Sequence, residues 1–392
     1  MQLGSGISKP IALNSNAKLV IGQNEIVMAS VNFSEYSVVG KKYKDTCNNE
    51  VGRAFIYADG KQSIEIFAKK NGILNGQGSL WFKNVEFLRR PYVIRLVNCK
   101  DVYIHDLVIV DSPSCAISLF NCENVVIENV QVISLWSYNN DGVDVDCCKN
   151  VTVKNCSFNT SDDCVSLKTT ANIPCENITI VGCNMASEIT GFKIGTESVG
   201  DFKNVVFKDN YICGTRFNAI KIVPTDGGTV NDVCIKNVVI EKSNGPVFIV
   251  CGNRCKRFYG EKDDDCRVST VKNVTFDGIT ADVIVADGYG CEYMNACFAI
   301  SGSPNSIIEN ITVKNCSFSM PGGVTNNKTT NVGELGGTYP EYYALGAFPA
   351  SCLYARRVDG LTLENLNLTI KEDDVRQKIV LDDVTGAVGV DL

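Results

Sequence analysis

Histidine is nearly absent from this chain: its 392 residues hold one, His105. With no second histidine to cooperate, His105 reads as an ordinary strand residue. Basic residues are outnumbered, 37 Lys and Arg against 44 Asp and Glu, for a net charge of −7. A nucleic-acid binder would show a basic face, so no nucleic-acid partner is expected. An acidic sugar polymer stays open, because a local lysine cluster can hold it. No run of 18 apolar residues occurs, so neither a transmembrane helix nor a membrane partner is expected. Paired Cys-x-x-Cys spacing is missing, which argues against structural zinc. The start, Met1-Gln2-Leu3-Gly4-Ser5-Gly6, lacks the charged-then-apolar profile of a signal peptide. The chain is therefore expected to be secreted or extracytoplasmic with its signal removed, or else cytoplasmic.

What the chain does have is a repeat. The phrase Asn-Val-x-Ile recurs with variations at Asp101-Val102, Asn124-Val125, Asn150-Val151, Asn177-Ile178 and Asn204-Val205. Looser copies follow at Asp232-Val233, Asn273-Val274, Asn310-Ile311 and Gly360-Leu361. The steps between first apolar residues are 23, 26, 27, 27 and 28, then 41, 37 and 50. Self-similarity at such a period marks a solenoid. Apolar and polar residues alternate inside each copy, which is a strand signal, and no helical stripe lies between copies. Short strands separated by Asn, Asp, Gly and Ser turns fit an all-β fold, a parallel β-helix.

One domain spanning 1–392 is expected, because each coil of a solenoid contacts only its neighbours. Residues 1–70 are less regular and read as the N-terminal cap and first coils, with 71–392 as the regular coils. The long late steps imply loop insertions near 252–266 and 320–346, expected to wall a cleft. The sequons within the repeat phrase, such as Asn177-Ile178-Thr179, read as turn chemistry.

Nineteen cysteines are present, an odd number, so at least one is free or pairs outside the chain. Cys156, Cys183 and Cys316 fall at matching repeat positions and read as a core ladder. Cys251, Cys255 and Cys266, with Cys291 and Cys297, could form disulfides if the protein is exported.

Three carboxylates lie within 23 residues: Asp141 in Asn139-Asn140-Asp141-Gly142, and the pair in Ser161-Asp162-Asp163. Residues one coil apart stack in a solenoid, so the three can meet on one surface. Such a cluster suits glycosidic-bond hydrolysis, in which one acid protonates the leaving oxygen and another activates water. Like charges packed together leave one carboxyl protonated near neutral pH. Trp136 and Tyr138 precede the first motif and either stack on sugar rings or pack in the core.

These residues resemble glycoside hydrolase family 28, the polygalacturonase and rhamnogalacturonase group. The segment Asn71-Gly72-Ile73-Leu74-Asn75-Gly76-Gln77-Gly78 with Trp81 is similar to an early landmark of that family. So are Arg90-Pro91 and Asp111-Ser112-Pro113. The two aspartate motifs match its Asn-Thr-Asp-Gly and Gly-Asp-Asp. Its Gly-His-Gly aligns with Thr190-Gly191-Phe192-Lys193-Ile194-Gly195-Thr196, so Thr190 stands where the family has His. Its Arg-Ile-Lys aligns with Ala219-Ile220-Lys221, so Arg is replaced by Ala219.

The resemblance implies a right-handed β-helix and an inverting hydrolase acting on a pectic, galacturonate-containing polysaccharide or oligosaccharide, with no cofactor and no metal. It assigns Asp162 as general acid, with Asp141 and Asp163 holding and activating water. An inverting pair is expected to stand about 6.5–9.5 Å apart so that water fits between them. Lys168, Lys193 and Lys221 are the cationic candidates for a substrate carboxylate. Asn139, Thr190 and Glu197, the last within Gly195-Thr196-Glu197-Ser198, complete the residues expected at the substrate. Two other readings remain open. A calcium-dependent lyase of pectate-lyase type would give products that absorb ultraviolet light. A non-catalytic polysaccharide-binding β-helix would release no reducing ends.

Overall fold

The repeat phrase becomes one strand per coil. In this computed structural model, which describes residues 1–47, 49–82, 87–260, 266–285, 297–326 and 331–389, the copies form Lys100–His105, Glu123–Glu128, Lys149–Lys154, Cys175–Val181 and Phe202–Lys208. They pair in parallel, so Val102, Val125, Val151, Ile178, Val205 and Val233 align in one column. Val274, Ile311 and Leu361 extend it, and every member is buried. Alternation with period two sends these residues and their i+2 neighbours inward, and the polar residues between them outward.

Each regular coil carries three strands, as in Val143–Asp146, Lys149–Lys154 and Ser157–Thr160. Each strand pairs with the third one after it, which gives a right-handed parallel β-helix. Cys156, Cys183 and Cys316 sit in its apolar core. Of the late cysteines, Cys255 and Cys266 form a disulfide, Cys251 and Cys297 are free and buried, and Cys291 lies outside the described residues.

The asparagine that opens each copy holds a left-handed backbone, with φ of 58° at Asn124, 57° at Asn150 and 59° at Asn177. Asparagine tolerates that region where most residues do not. Each side-chain amide donates to the one before it: Asn124 to Asp101 at 2.9 Å, Asn150 to Asn124 at 3.0 Å and Asn177 to Asn150 at 2.9 Å. Asn150→Ala is expected to destabilise by about 1–3 kcal/mol, through two lost hydrogen bonds and the left-handed conformation. Asn150→Gly should keep the conformation and recover part of that loss in urea denaturation. Equal losses in both variants would show that backbone conformation contributes nothing.

His105 is a strand residue remote from the carboxylate motifs. Its ring stacks on Phe67, with centroids 4.8 Å apart, and bonds Asp106 and Glu65.

Residues 1–70 contribute strands to the same stack and one feature the repeat does not foretell. Val38–Lys44 and Glu50–Asp59 form an antiparallel hairpin. The sheet that carries the carboxylates runs through Ile117–Phe120, Val143–Asp146, Val165–Thr169, Phe192–Ser198 and Ile220–Pro224. The hairpin covers its outer face at one end with a small apolar cluster of Val51, Ala54, Tyr92 and Cys115. At the other end, Tyr342, Leu345 and Phe348 lie on the outward residues Phe248, Val250 and Tyr354.

Candidate active site

Asp141 and Asp163 occupy the same turn on successive coils: the Gly142 amide donates to the Asp163 carbonyl at 2.9 Å. Gly142 is required there, because a Cβ would lie 2.4 Å from the Cys164 carbonyl oxygen. The stacking brings Asp141, Asp162 and Asp163 together, each offering one oxygen within 4.8 Å of the others. Adjacent coils of a parallel sheet lie about 4.8 Å apart, which draws stacked turns together.

The three carboxylates have different partners. Asp162 Oδ2 accepts from the Asn139 amide at 3.0 Å, and its Oδ1 from the Asp163 amide at 2.9 Å. Lys193 Nζ lies 2.8 Å from Asp163 Oδ2, which also accepts from Ser166 Oγ at 3.1 Å. Asp163 Oδ1 is buried and has no partner among the described residues. Lys168 Nζ bridges Asp141 at 3.1 Å and Asp144 at 2.8 Å. Neither lysine is a solvated surface charge, since both are largely buried.

Burial, with the charges of Asp141 and Asp163, raises the Asp162 carboxyl to about 8, against the opposing pull of Lys193. Burial and the Asp141 charge push Asp144 well above the usual carboxylate range. Burial acts in the same direction on Glu197, but Lys168, Arg254 and Lys193 outweigh it and bring the group down to about 2. The site thus separates one carboxyl that holds a proton at neutral pH, Asp162, from one that stays ionised, Glu197, as acid–base chemistry needs.

Three loops surround the cluster. From the hairpin tip, Thr46 Oγ1 donates to Glu197 at 2.8 Å and Asn49 Nδ2 donates to Asn139 at 3.0 Å. Residues 252–260 of the late insertion close a second side. Arg254 Nη1 donates to Thr196 Oγ1 at 3.1 Å, Lys256 Nζ reaches the Asp45 carbonyl at 2.5 Å, and the Tyr259 hydroxyl meets Thr170 at 3.2 Å. The segment 331–346 closes a third, with the Tyr339 hydroxyl 3.1 Å from Lys193.

Asn139, Asp141, Asp162, Asp163, Lys168, Lys193 and Glu197 therefore line one cavity. Thr190 and Lys221 do not, and here the structure departs from expectation. Thr190 is fully buried with its hydroxyl unpartnered. Lys221 stands one rung beyond Lys193, where segment 331–346 covers the sheet. It is 0% exposed and donates to both Glu341 oxygens at 2.7 Å. In this arrangement Glu341 takes the place of any substrate carboxylate at that ammonium.

Asp144 and Asp146 also face the cavity and were not among the expected site residues. The alternation Val143-Asp144-Val145-Asp146 was the available signal: both aspartates must face outward on the sheet that carries the motifs. Asp45, Thr46 and Tyr339 carried no such signal.

A family model described as glycosyl hydrolases family 28 matches residues 42–333. A Vitis vinifera protein named Probable polygalacturonase is 25% identical over 283 residues, covering 67% of this chain and 56% of that protein. An Aspergillus oryzae protein named Probable rhamnogalacturonase A is 29% identical over 218 residues, covering 55% of this chain and 42% of that protein. The chain spans about half the length of the curated relatives it matches. Among solved structures, the family 28 exopolygalacturonase of Yersinia enterocolitica superposes with a TM-score of 0.73 at 14% identity. That match covers 98% of this chain and 72% of the other, and it shows the shared fold.

Proposed function

The chain belongs to glycosyl hydrolases family 28, and from this we propose that it hydrolyses a glycosidic bond near the end of a pectic, galacturonate-containing chain. One observation carries the chemistry: three carboxylates converge in a walled cavity with three different sets of partners. Asp162 is the general acid and gives its proton to the leaving oxygen. Water attacks the anomeric carbon, and its proton passes to Asp163, whose Oδ1 is the acceptor left without a partner among the described residues. Asp141 orients that water, and Lys168 and Lys193 hold the two bases in place. Asn139 fixes Asp162 through its amide. Glu197 presents an ionised acceptor to a sugar hydroxyl.

Inversion is proposed from family membership, with the water held between the aspartate oxygens, whose separation of up to 4.8 Å one water can bridge. Cleavage near a chain end is proposed from the enclosure, because loops on three sides leave no open-ended cleft. The cavity itself has a volume of about 60 Å³. An extracytoplasmic setting is supported by the Cys255–Cys266 disulfide.

The three clustered aspartates could also hold a cation, which is the observation that favours the calcium-dependent lyase reading. Two ammonium groups already lie on that cluster, at 2.8 Å from Asp163 and 3.1 Å from Asp141, which favours hydrolysis. The deciding experiment is release of reducing ends from polygalacturonan, rhamnogalacturonan and xylogalacturonan, with ultraviolet absorbance and calcium dependence recorded together. Reducing ends without absorbance support the hydrolase. Absorbance that requires calcium contradicts it.

The pH dependence follows from Asp162. An acid must be protonated to donate, so kcat/KM is expected to hold through neutral pH and fall as pH rises through about 8. A profile that already falls on its alkaline side near pH 5 would remove Asp162 from that role.

A further inference from the structure

On one side the cavity ends at a rim built from two turns of the β-helix itself. There the rim is formed by Tyr138-Asn139 and Ser161-Asp162. Asn139 and Asp162 face the cavity, while their chain neighbours Tyr138 and Ser161 face a second concavity. This groove has a volume of about 740 Å³. Its walls include Leu80, Phe82, Trp136, Tyr138, Glu188 and Arg216. Trp136 is 70% exposed and Tyr138 65%, although large rings gain most from burial. The Phe82 and Tyr138 rings lie 5.7 Å apart. Clustered exposed apolar surface beside a polar site marks a place where something binds.

Charge identifies the occupant. Among the described lining residues the groove carries one carboxylate, Glu188, and one guanidinium, Arg216, which cancel. A run of uronates would bring several anions to one cation already balanced by an acid. Neutral sugar rings bring apolar C–H faces that stack on Trp136 and Tyr138, and hydroxyls that can pair with Glu188 and Arg216. Position supplies the direction. Asp162 stands on the rim between cavity and groove, so the oxygen it protonates belongs to the fragment on the groove side.

We infer that the groove bounded by Trp136, Tyr138, Leu80 and Phe82 binds the leaving fragment of the substrate, and that this fragment begins with a neutral sugar. Its direction rests on the hydrolase reading above; its binding does not. Pectic chains with neutral sugars next to the cleaved bond are then preferred over unbroken polyuronate.

The chain has two tryptophans. Trp81 is 1% exposed, so Trp136 is the one that a ligand can reach. The test is a fluorescence titration of the full-length Asp162→Asn protein, which binds without turnover. Rhamnogalacturonan oligosaccharides are expected to shift the emission to the blue, at concentrations at least tenfold below those needed with oligogalacturonates of equal length. In calorimetry, adding Trp136→Ala is expected to weaken rhamnogalacturonan binding about tenfold, which is about 1.4 kcal/mol. Trp136→Phe keeps a ring and should recover part of that loss. Equal affinity in the Trp136→Ala protein, or preference for the oligogalacturonate, overturns the inference. The hydrolase reading fails separately: if wild type cleaves nothing while the Trp136 titration holds, the groove stands and the reading falls.

Discussion

Asp162→Asn is expected to lower kcat by about 10²–10⁴-fold, the range that a positioned general acid contributes, and at the same time to stabilise the fold above pH 4. The first effect follows from the missing proton. Asparagine keeps the size and place of the side chain beside Asn139 but cannot protonate a leaving oxygen. The second follows from linkage. The folded carboxyl titrates near 8 against a reference of 3.8, so its charged form is penalised by burial and by the charges of Asp141 and Asp163. That penalty is absent below the unfolded value and grows as pH rises towards 8. The melting temperature of the variant should therefore exceed that of wild type by a margin that widens from pH 4 to pH 8 and then levels. A purely structural role for Asp162 gives the opposite pattern, a variant less stable at every pH. Thermal melts across that range separate the two.

Lys193→Met is expected to destabilise the protein by about 3–5 kcal/mol, the usual consequence of leaving one member of a buried ion pair without its partner. Asp163 is 2% exposed on its side chain and Lys193 6%, and their atoms lie 2.8 Å apart. The lysine also meets the Tyr339 hydroxyl at 3.1 Å, so its loss removes one of the contacts that hold segment 331–346 on the sheet. Activity should fall about 10²-fold as Asp163 shifts from its position beside the water. The pair Lys193→Met with Asp163→Asn supplies the control. If the ion pair is the cause, the double variant recovers most of the stability lost in Lys193→Met and none of the activity. Additive losses in stability would show that the two residues act independently.

The coils were legible because their cause is local. Every copy of Asn-Val-x-Ile carries its own alternation and its own left-handed asparagine, and Val102, Val125, Val151 and Ile178 stack as their spacing requires. The carboxylates were legible for the same reason, since Asp141 and Asp163 sit at one position of successive coils. The walls were not, because their contacts join distant parts of the chain. Thr46 meets Glu197 across 151 residues, and Lys221 meets Glu341 across 120. No pattern in either segment announces the other. Lys221 shows the consequence. Its motif position placed it at the substrate, yet a glutamate from a late loop occupies its ammonium and seals it away. Turns stacked on adjacent coils bring the aspartate oxygens to within 4.8 Å of one another. The hairpin of Val38–Lys44 and Glu50–Asp59 lies in a region whose sequence reads as irregular, so its reach over the sheet was visible only once folded.

The central claim is that a walled carboxylate cavity cleaves pectic chains at their ends. It is tested most directly by following wild type on a rhamnogalacturonan oligosaccharide labelled at its reducing end, with the products separated by length. The expected result is a set of labelled products that shorten by one constant step from the unlabelled, non-reducing end, so that long labelled intermediates persist at early times. A spread of internal fragments at the earliest times, or no cleavage of any pectic oligosaccharide, would contradict it.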